Sequence, residues 1–157
     1  MTTFVMKPES EIILDTPPEK DSKIKLISGN IWENVKKMLK DGSMEVEMSQ
    51  AICGARGTIF VSEETGTLST LKVIEGQMKF THKITGESIT VNAGKMAVAD
   101  ASGISELKNF DIATEKSLWE KIISASQEKP PVAEPTVGIV MVISIILIVY
   151  MLIRKTG

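Results

Sequence analysis

The feature that most constrains the fold is a series of short apolar runs, separated by glycine-containing turns, that fills residues 43–99. The clearest run, residues 43–49, alternates polar and apolar residues and puts Met44, Val46 and Met48 on one face of a half-buried strand. Further runs cover residues 68–74, 77–82, 88–91 and 95–99. Strands at this spacing predict an all-β sandwich, a roll or a short β-solenoid.

Residues 51–61 join two apolar runs through the sequence Gly-Ala-Arg-Gly-Thr and predict a kinked inner strand. Glycine weakens a strand unless the backbone needs it, so Gly54 and Gly57 indicate a bulge or a close backbone approach. Arg56 lies between them, and we expect it to donate hydrogen bonds to backbone carbonyls of neighbouring turns. A binding site formed by Arg56 and Thr58 is the alternative.

The same stretch resembles the FecR-type domain family, whose pattern is Gly-x-Arg-Gly-Thr-x-Phe-x-Val followed by a Val-x-x-Gly turn. The resemblance is found at residues 53–61, 73–78 and 91–95, in the family's order, and it extends over about residues 2–100. The motif residues, which we expect to be structural, are Gly54, Arg56, Gly57, Thr58, Phe60, Glu75, Gly76 and Gly94. Family members have further strand residues before this point, so the resemblance leaves open whether the chain begins inside a longer reading frame.

The segments before residue 43 are less regular. Residues 11–14 and 23–27 are short apolar runs, and the prolines and charges between them predict a solvated loop. Residues 31–39 fit a strand or a short helix, and the family resemblance favours a strand through Val35.

An amphipathic helix is predicted over residues 111–124, where Leu118, Trp119, Ile122 and Ile123 recur at helical spacing. Ser117 and Glu120 are placed as a capping box for this helix. We expect the helix to pack on the β-strands through Trp119 and Ile122.

The C-terminal part predicts a linker followed by a membrane anchor. Three prolines between residues 127 and 136 favour an extended spacer. Residues 137–153 have only Gly138 and Ser144 outside the apolar set, and a helix from Thr136 to the end of this run would rise about 27 Å, close to the thickness of a bilayer core. Tyr150 would lie near an interface, with Arg154 and Lys155 in the headgroups.

The predicted organisation therefore has four parts. They are a FecR-like β-domain with its packing helix over residues 1–126, a linker over 127–136, a transmembrane helix over 137–153 and a basic tail over 154–157.

Charge argues against a nucleic-acid partner. Without Arg154 and Lys155, 16 of the 18 basic residues remain against 20 acidic ones, so the rest of the chain carries a formal charge near −4. A nucleic-acid-binding domain would favour a concentrated basic face.

The chain also offers little catalytic chemistry. His82 is the only histidine, so we expect a hairpin side chain and no histidine-based metal site. Cys53 cannot form an internal disulfide and fits a small core residue better than a reactive thiol, which leaves the redox compartment open. The pairs Glu63–Glu64 and Glu45–Glu47 are interpreted as solvation of a turn and of a strand face. We expect neither an enzyme nor a cofactor.

These features predict a membrane-anchored, non-catalytic binding or assembly module that presents its β-domain at the cell surface to another protein or to a cell-surface polymer. The alternative is an accessory component of a transmembrane signalling system. The resemblance implies proteins that pair such a domain with an intracellular anti-sigma segment and transmit metal-uptake signals. In those proteins the intracellular segment comes before the span, whereas here the predicted span comes last. Homo-oligomerisation is left open.

Two arguments about membrane orientation oppose each other. The basic pair after the span and the family resemblance put the β-domain outside the cytoplasm, and the tail resembles the anchoring tails of prokaryotic surface proteins. Residues 1–6 lack the features of a signal peptide, so a tail anchor with a cytoplasmic β-domain is the alternative. The first orientation is preferred.

Overall fold

The structure is a computed structural model, and it describes residues 2–14, 21–35 and 43–127. Within these residues it contains strands β1 (Thr2–Met6), β2 (Glu11–Leu14), β3 (Asp21–Val35), β4 (Ser43–Glu47), β5 (Ala51–Ala55), β6 (Ile59–Glu64), β7 (Ser69–Glu75), β8 (Gln77–His82), β9 (Ser88–Asn92), β10 (Lys95–Asp100), β11 (Gly103–Ile104) and β12 (Lys108–Asn109), followed by helix α1 (Ile112–Gln127). The predicted all-β architecture with one helix is confirmed for this part of the chain.

The strands form one curled sheet in the order β11-β10-β7-β6-β3-β4-β5-β8-β9. Strands β1 and β2 pair with β3, and β12 pairs with β10. Among the described strands every pairing is antiparallel except that of β3 with β4. Antiparallel pairing of this kind fits a roll and does not fit a β-solenoid, whose successive coils pair in parallel.

Strand β3 belongs to two half-sheets. In the first half-sheet, residues 21–25 of β3 pair with β4, and β5, β8 and β9 follow. In the second half-sheet, residues 29–34 of β3 pair with β6, and β7 and β10 follow. Strands β2 and β1 run along the opposite edge of β3, one in each half-sheet. The two half-sheets are therefore continuous through a single strand.

The bend of β3 at Gly29 makes this continuity possible. Gly29 has φ 94°, and a Cβ added there would lie 2.6 Å from the Cα of Ser10. The Oγ of Ser10 accepts a hydrogen bond from the Asn30 amide at 3.0 Å, so the segment between β1 and β2 lies directly on the bend. A side chain at position 29 would have neither the conformation nor the space it needs.

The inner faces of the two half-sheets enclose one hydrophobic core. The predicted inward residues Met44, Val46 and Met48 are buried in it, as are Phe80 and Cys53. Burial raises the pKa of the Cys53 thiol, with a smaller contribution from nearby Glu33. The expectation that Cys53 is a core residue is confirmed.

Helix α1 packs on the outer face of the second half-sheet. Trp119 is fully buried there in a second cluster with Trp32 and Val61, and its ring centroid lies 5.8 Å from that of Trp32. Ile122 is partly buried against the same cluster. The helix and its predicted packing through Trp119 and Ile122 are confirmed.

The predicted capping box of this helix is wrong. The helix begins at Ile112, so Ser117 and Glu120 lie within it. Asp111 is the N-cap, because its Oδ1 accepts hydrogen bonds from the amides of Ala113 at 2.8 Å and Thr114 at 3.2 Å.

Residues 51–61 form two strands, and the prediction of one kinked inner strand is wrong. Strand β5 ends at Ala55 in the first half-sheet and β6 begins at Ile59 in the second. The chain crosses between the half-sheets in the intervening turn, where Gly57 has φ 66°. The glycine-rich centre therefore marks a crossing, and the core side chains on each side of it face each other.

No helix in residues 2–14, 21–35 and 43–127 is long and apolar enough to cross a membrane. The predicted membrane span, with Tyr150, Arg154 and Lys155, lies outside the described residues, as does the predicted linker from residue 128 onward.

We expect Gly76→Ala to destabilise the fold more than Gly66→Ala. Both glycines have φ 86°, where an L-residue costs about 1–2 kcal/mol. A Cβ on Gly76 would lie 2.8 Å from the Cγ2 of buried Thr58, whereas a Cβ on Gly66 meets nothing within 4 Å. Overpacking should add at least about 1 kcal/mol at position 76. Urea unfolding of the full chain in detergent measures both losses, and equal losses would contradict a close contact between Gly76 and Thr58.

Candidate functional site

The motif residues divide into a packed set and an exposed set. The packed set comprises buried Thr58 and Phe60, with Gly76 and Gly94 at the corners of strand pairs. The exposed set comprises Gly54, Arg56, Gly57 and Glu75. The two sets therefore differ in environment, although Gly57 and Glu75 adjoin members of the packed set along the chain.

The packed set brings the three family matches together. The carbonyl of Thr58 accepts a hydrogen bond from the Val35 amide at 2.9 Å, and the carbonyl of Gly76 accepts one from the Ala93 amide at 3.0 Å. The Gly94 amide donates to the carbonyl of Val73 at 2.8 Å. These bonds connect consecutive corners of the roll, at the end where the chain crosses between the half-sheets.

Arg56 does not have the environment that its sequence context predicts. Its side chain is exposed and makes no hydrogen bond or ion pair with any residue that the structure describes. Cys53 and Ala55 point into the core, so Gly54 falls on the outer side of β5, whereas Arg56 follows the end of this strand in the exposed turn that leads to β6. The expectation that Arg56 donates to buried carbonyls is wrong.

The outer face of the first half-sheet carries a row of ion pairs. The Nζ of Lys23 lies 3.3 Å from the Oε1 of Glu45 and 2.8 Å from the Oε2 of Glu47. Lys83 also pairs with Glu47, at 2.8 Å. Hydrogen bonds from Lys23 and then Lys83 lower the pKa of Glu47 to about 2. The interpretation of Glu45 and Glu47 as residues of a strand's outer face is confirmed.

Lys25 and Lys79 are exposed cations of this face that form no ion pair with any residue the structure describes, and Lys79 is the one beside Gly54. The register places Glu45 beside Gly54 and Gly54 beside Lys79, so Gly54 separates a paired carboxylate from an unpaired ammonium. Arg56 lies two residues after Gly54, directly beyond the end of β5, and is also exposed. Gly54, Arg56 and Lys79 thus form a positively charged patch with a gap at its centre.

A second polar cluster fixes α1 to the sheet. The Nζ of Lys72 lies 2.8 Å from Glu63 Oε1 and 3.2 Å from Glu115 Oε2, and the indole Nε1 of Trp119 donates to Glu115 Oε1 at 2.9 Å. Burial alone would lower the pKa of Lys72, but the two carboxylates outweigh it and hold this pKa above its usual value. The Nζ of Lys7 lies 5.1 Å from the Trp119 ring centroid and adds a cation–π contact.

Glu64 is a buried structural carboxylate. It accepts hydrogen bonds from the Ser49 amide at 2.9 Å, the Ser49 hydroxyl at 2.8 Å and the Ser69 hydroxyl at 2.7 Å, and it is 3% exposed. It also accepts one from the Gly66 amide at 2.5 Å. The interpretation of Glu63–Glu64 as a solvated pair is wrong for Glu64, which ties the β4–β5 turn to the β6–β7 hairpin.

His82 is a fully buried residue of the β8–β9 hairpin. Its Nδ1 accepts a hydrogen bond from the Thr85 amide at 3.1 Å, so the ring proton lies on Nε2, which donates to the carbonyl of Asp100 at 2.7 Å. The hairpin position was predicted, whereas the connection to the end of β10 was not. This bond joins the two half-sheets at their far edges.

Glu33 is the ionisable side chain among the buried polar groups without a hydrogen-bond partner in the described residues, the others being Asn34, Thr58 and Ser62. It lies on the core face of β3 between Ile31 and Val35, and neither carboxyl oxygen has a hydrogen-bond partner among the described residues. Burial raises the pKa of the Glu33 carboxyl well above its usual range. Burial therefore disfavours the loss of this proton in the folded chain.

Among the residues that the structure describes, no group of three or more histidine, cysteine, aspartate or glutamate side chains could hold a metal ion. The acidic side chains instead pair with lysines, accept from backbone amides or are isolated in the core. The chemical feature of this surface that a partner could recognise is its charged side chains.

The family model described as "FecR protein" matches residues 1–79, which is half of the chain. The chain belongs to the FecR family. The matched region runs from β1 into β8 and includes the crossing at residues 56–58. The predicted family resemblance is confirmed.

Two solved structures resemble the fold of this FecR-family chain. Both are crystal structures of a "putative anti-sigma factor" from Parabacteroides distasonis ATCC 8503, with TM-scores of 0.58 and 0.56 and 14% sequence identity each. The matches cover 76% of this chain, and they span 60% and 65% of the two solved chains. A search of curated protein sequences finds no match.

Sequence reasoning missed Lys79 and the buried carboxylates. Lys79 occupies an outward position in a regular strand, and only the sheet order places it beside Gly54. The alternation that correctly assigned Met78 and Phe80 to the core was the one available signal, because it also placed Lys79 outside.

We expect Glu33→Met to stabilise the protein at pH 7 and above by at least about 1 kcal/mol, because it removes a buried carboxyl without partners at nearly constant volume. The folded chain keeps this proton at pH values where the unfolded chain releases it. Parental stability should therefore fall as pH rises above about 4.5, the ordinary value.

Urea unfolding of the full chain between pH 4.5 and 8 measures this effect. The free energy of unfolding of Glu33→Met should exceed that of the parent by an amount that grows with pH. Glu33→Gln cannot ionise, so it should remove the part of the pH dependence that comes from Glu33. An advantage that is independent of pH would contradict a carboxyl that is protonated in the folded state.

Proposed function

We propose that the protein is a signalling regulator of the FecR type, in which the β-domain binds another protein and does not catalyse a reaction. The observation that carries this proposal is the family match over residues 1–79, because it contains the crossing and the exposed patch beside it. The fold shared with proteins described as anti-sigma factors supports the same class of function.

The comparisons reverse the order of the two functional hypotheses. A surface assembly module was the first prediction from sequence, and a signalling component was the alternative. Both require a binding domain, and the structure offers unpaired surface charge at Gly54, Arg56 and Lys79. Family membership and fold likeness favour the signalling hypothesis.

Helix α1 gives the β-domain a rigid connection to the C-terminal segment. Lys72, Glu115 and Trp119 fix the helix to the second half-sheet through an ion pair, a hydrogen bond and a buried indole ring. A change in the β-domain on binding would therefore reach the segment that follows Gln127. We propose that this coupling carries the signal toward a partner protein.

We also propose that residues 137–153 anchor the protein in a membrane, with the β-domain outside the cytoplasm. The support is the apolar sequence of this segment and the basic pair that follows it. The β-domain would then be displayed at a short distance from the bilayer.

Deletion of the gene in the organism that encodes it should change the transcription of a limited set of genes. RNA sequencing measures this set, and the full chain supplied on a plasmid should restore it. Lys72→Ala/Trp119→Ala, which releases α1 from the sheet, should bind partners but fail to restore transcription. An unchanged transcriptome together with a defect in a surface structure would replace the signalling hypothesis with the assembly hypothesis.

An epitope inserted between Thr65 and Gly66 reports on membrane orientation, since both residues are exposed in the β6–β7 hairpin. Protease added to intact cells, or to right-side-out spheroplasts, should digest the tagged domain. Protection of the epitope until lysis would instead show a tail-anchored protein with a cytoplasmic β-domain.

A further inference from the structure

The glycine at position 54 is not explained by the fold. Its neighbours in the sheet are regular, with Glu45 on one side and Lys79 on the other. Its φ lies outside the left-handed region, and an added Cβ would meet nothing within 4 Å. Glycine inside a strand costs about 0.5–1 kcal/mol relative to alanine. The absence of a side chain at position 54 therefore points to a role outside the fold. Glycine within a strand often marks a place where a ligand approaches the backbone closely.

The gap above Gly54 is lined by two cations without partners. Lys79 lies directly across from it on β8, and exposed Arg56 follows two residues later, just past the end of β5. Both side chains are exposed, and in the described part of the chain neither forms a hydrogen bond or an ion pair. Two other cations of this face, Lys23 and Lys83, are paired with carboxylates, and Lys25, unpaired within the described residues, lies on β3, which β4 separates from β5 and Gly54.

The dimensions of the gap fit one side chain of a binding partner. Neighbouring strands lie about 4.8 Å apart, and two residues separated by one position in the chain lie at most about 7 Å apart. A group resting on Gly54 would thus be within reach of both cations. The planar guanidinium of Arg56 matches a carboxylate with two parallel hydrogen bonds.

The position of Glu45 favours a peptide over a uniformly anionic polymer as the ligand. Its carboxylate lies on the other side of Gly54 and is about half exposed. A polymer with a charge on every unit would meet this carboxylate as well as the two cations. A peptide can present one acidic side chain to the cations and an uncharged residue to Glu45.

We propose that Gly54, Arg56 and Lys79 form a binding site for an acidic segment of a partner protein. One aspartate or glutamate of that segment sits on Gly54 and pairs with Arg56 and Lys79. This proposal depends on the proposed function in one respect, namely that the binding partner is a protein.

The first test uses the full chain in detergent and a fluorescein-labelled peptide of alternating glutamate and threonine. Fluorescence anisotropy at low salt should show binding that weakens as salt increases, whereas the matched glutamine–threonine peptide should not bind. Arg56→Glu and Lys79→Glu should each weaken binding about tenfold. Lys108→Glu and Lys116→Glu, which reverse exposed cations elsewhere, should change it less than twofold.

The second test separates binding from folding. Gly54→Val places a β-branched residue in a regular strand where space is available, so its midpoint of thermal unfolding should rise by about 2–4 °C. The same variant should lose at least tenfold in peptide affinity because it fills the gap, and Gly54→Ala should lose less. Parental affinity in Gly54→Val would overturn the proposal, as would the absence of peptide binding to the parent chain.

Three further outcomes are decisive. Inorganic polyphosphate that binds through Arg56 and Lys79, where the glutamate peptide does not, would assign the surface to an anionic polymer and overturn the peptide site. If gene deletion leaves transcription unchanged while the peptide still binds at these residues, the signalling function fails and the site stands. If transcription responds to deletion but is fully restored by Arg56→Glu/Lys79→Glu, the site fails and the function stands.

Discussion

The bend of β3 at Gly29 is the constraint on which the rest of the structure depends. One strand supplies hydrogen-bonding partners to β4 in the first half-sheet and to β6 in the second, so both halves take their register from it. A slip of one residue would turn buried Ile24 and Leu26 outward and bring Lys25 into the core. The contact of Ser10 with the bend holds β1 and β2 to the same register along the other edge.

Two carboxyl groups buried by this arrangement, those of Glu64 and Glu33, have opposite environments. Glu64 is buried with four donors around it, so its lost hydration is replaced by hydrogen bonds that also connect two turns. Glu33 has no such partner among the described residues, and it retains its proton because ionisation in an apolar setting is costly. Burial of a carboxyl is therefore structural in one position and a source of pH-dependent instability in the other.

Much of the fold was predictable because its signals are local. Alternation identified β4 and β8 with their inward residues, the glycines marked the turns, and helical spacing around Trp119 identified α1 and its packing face. Strands β11 and β12 have two residues each and carry no periodic pattern, so they could not be predicted. Asp111 was missed as the cap because Ser117 and Glu120 match a capping sequence, although they lie inside the helix.

The candidate site was less predictable, since its properties depend on which strands become neighbours. Whether Glu33, Glu64 or His82 is buried, and with which partners, depends on contacts across the sheet or between half-sheets that no local pattern encodes. Arg56 was wrongly predicted to donate hydrogen bonds to backbone carbonyls, because the glycines on either side of it suggested a close approach of the backbone within the sheet. In the structure one of these glycines, Gly57, turns the chain between half-sheets, and the other, Gly54, has no role in the fold.

This difference between Gly54 and Gly57 indicates how one short stretch can serve two purposes. Along β5, Cys53 and Ala55 contribute to the core while Gly54 lies on the opposite face, and exposed Arg56 follows the end of the strand, so substitutions at Gly54 and Arg56 need not disturb the core. The crossing at Gly57 then fixes where the outer face ends, because the chain leaves the first half-sheet there. A binding patch at that end is held rigidly by strands whose stability comes from the inner face. Recognition and folding are thus separated by side-chain alternation within a single strand, and this allows the patch to change its ligand preference without loss of the fold.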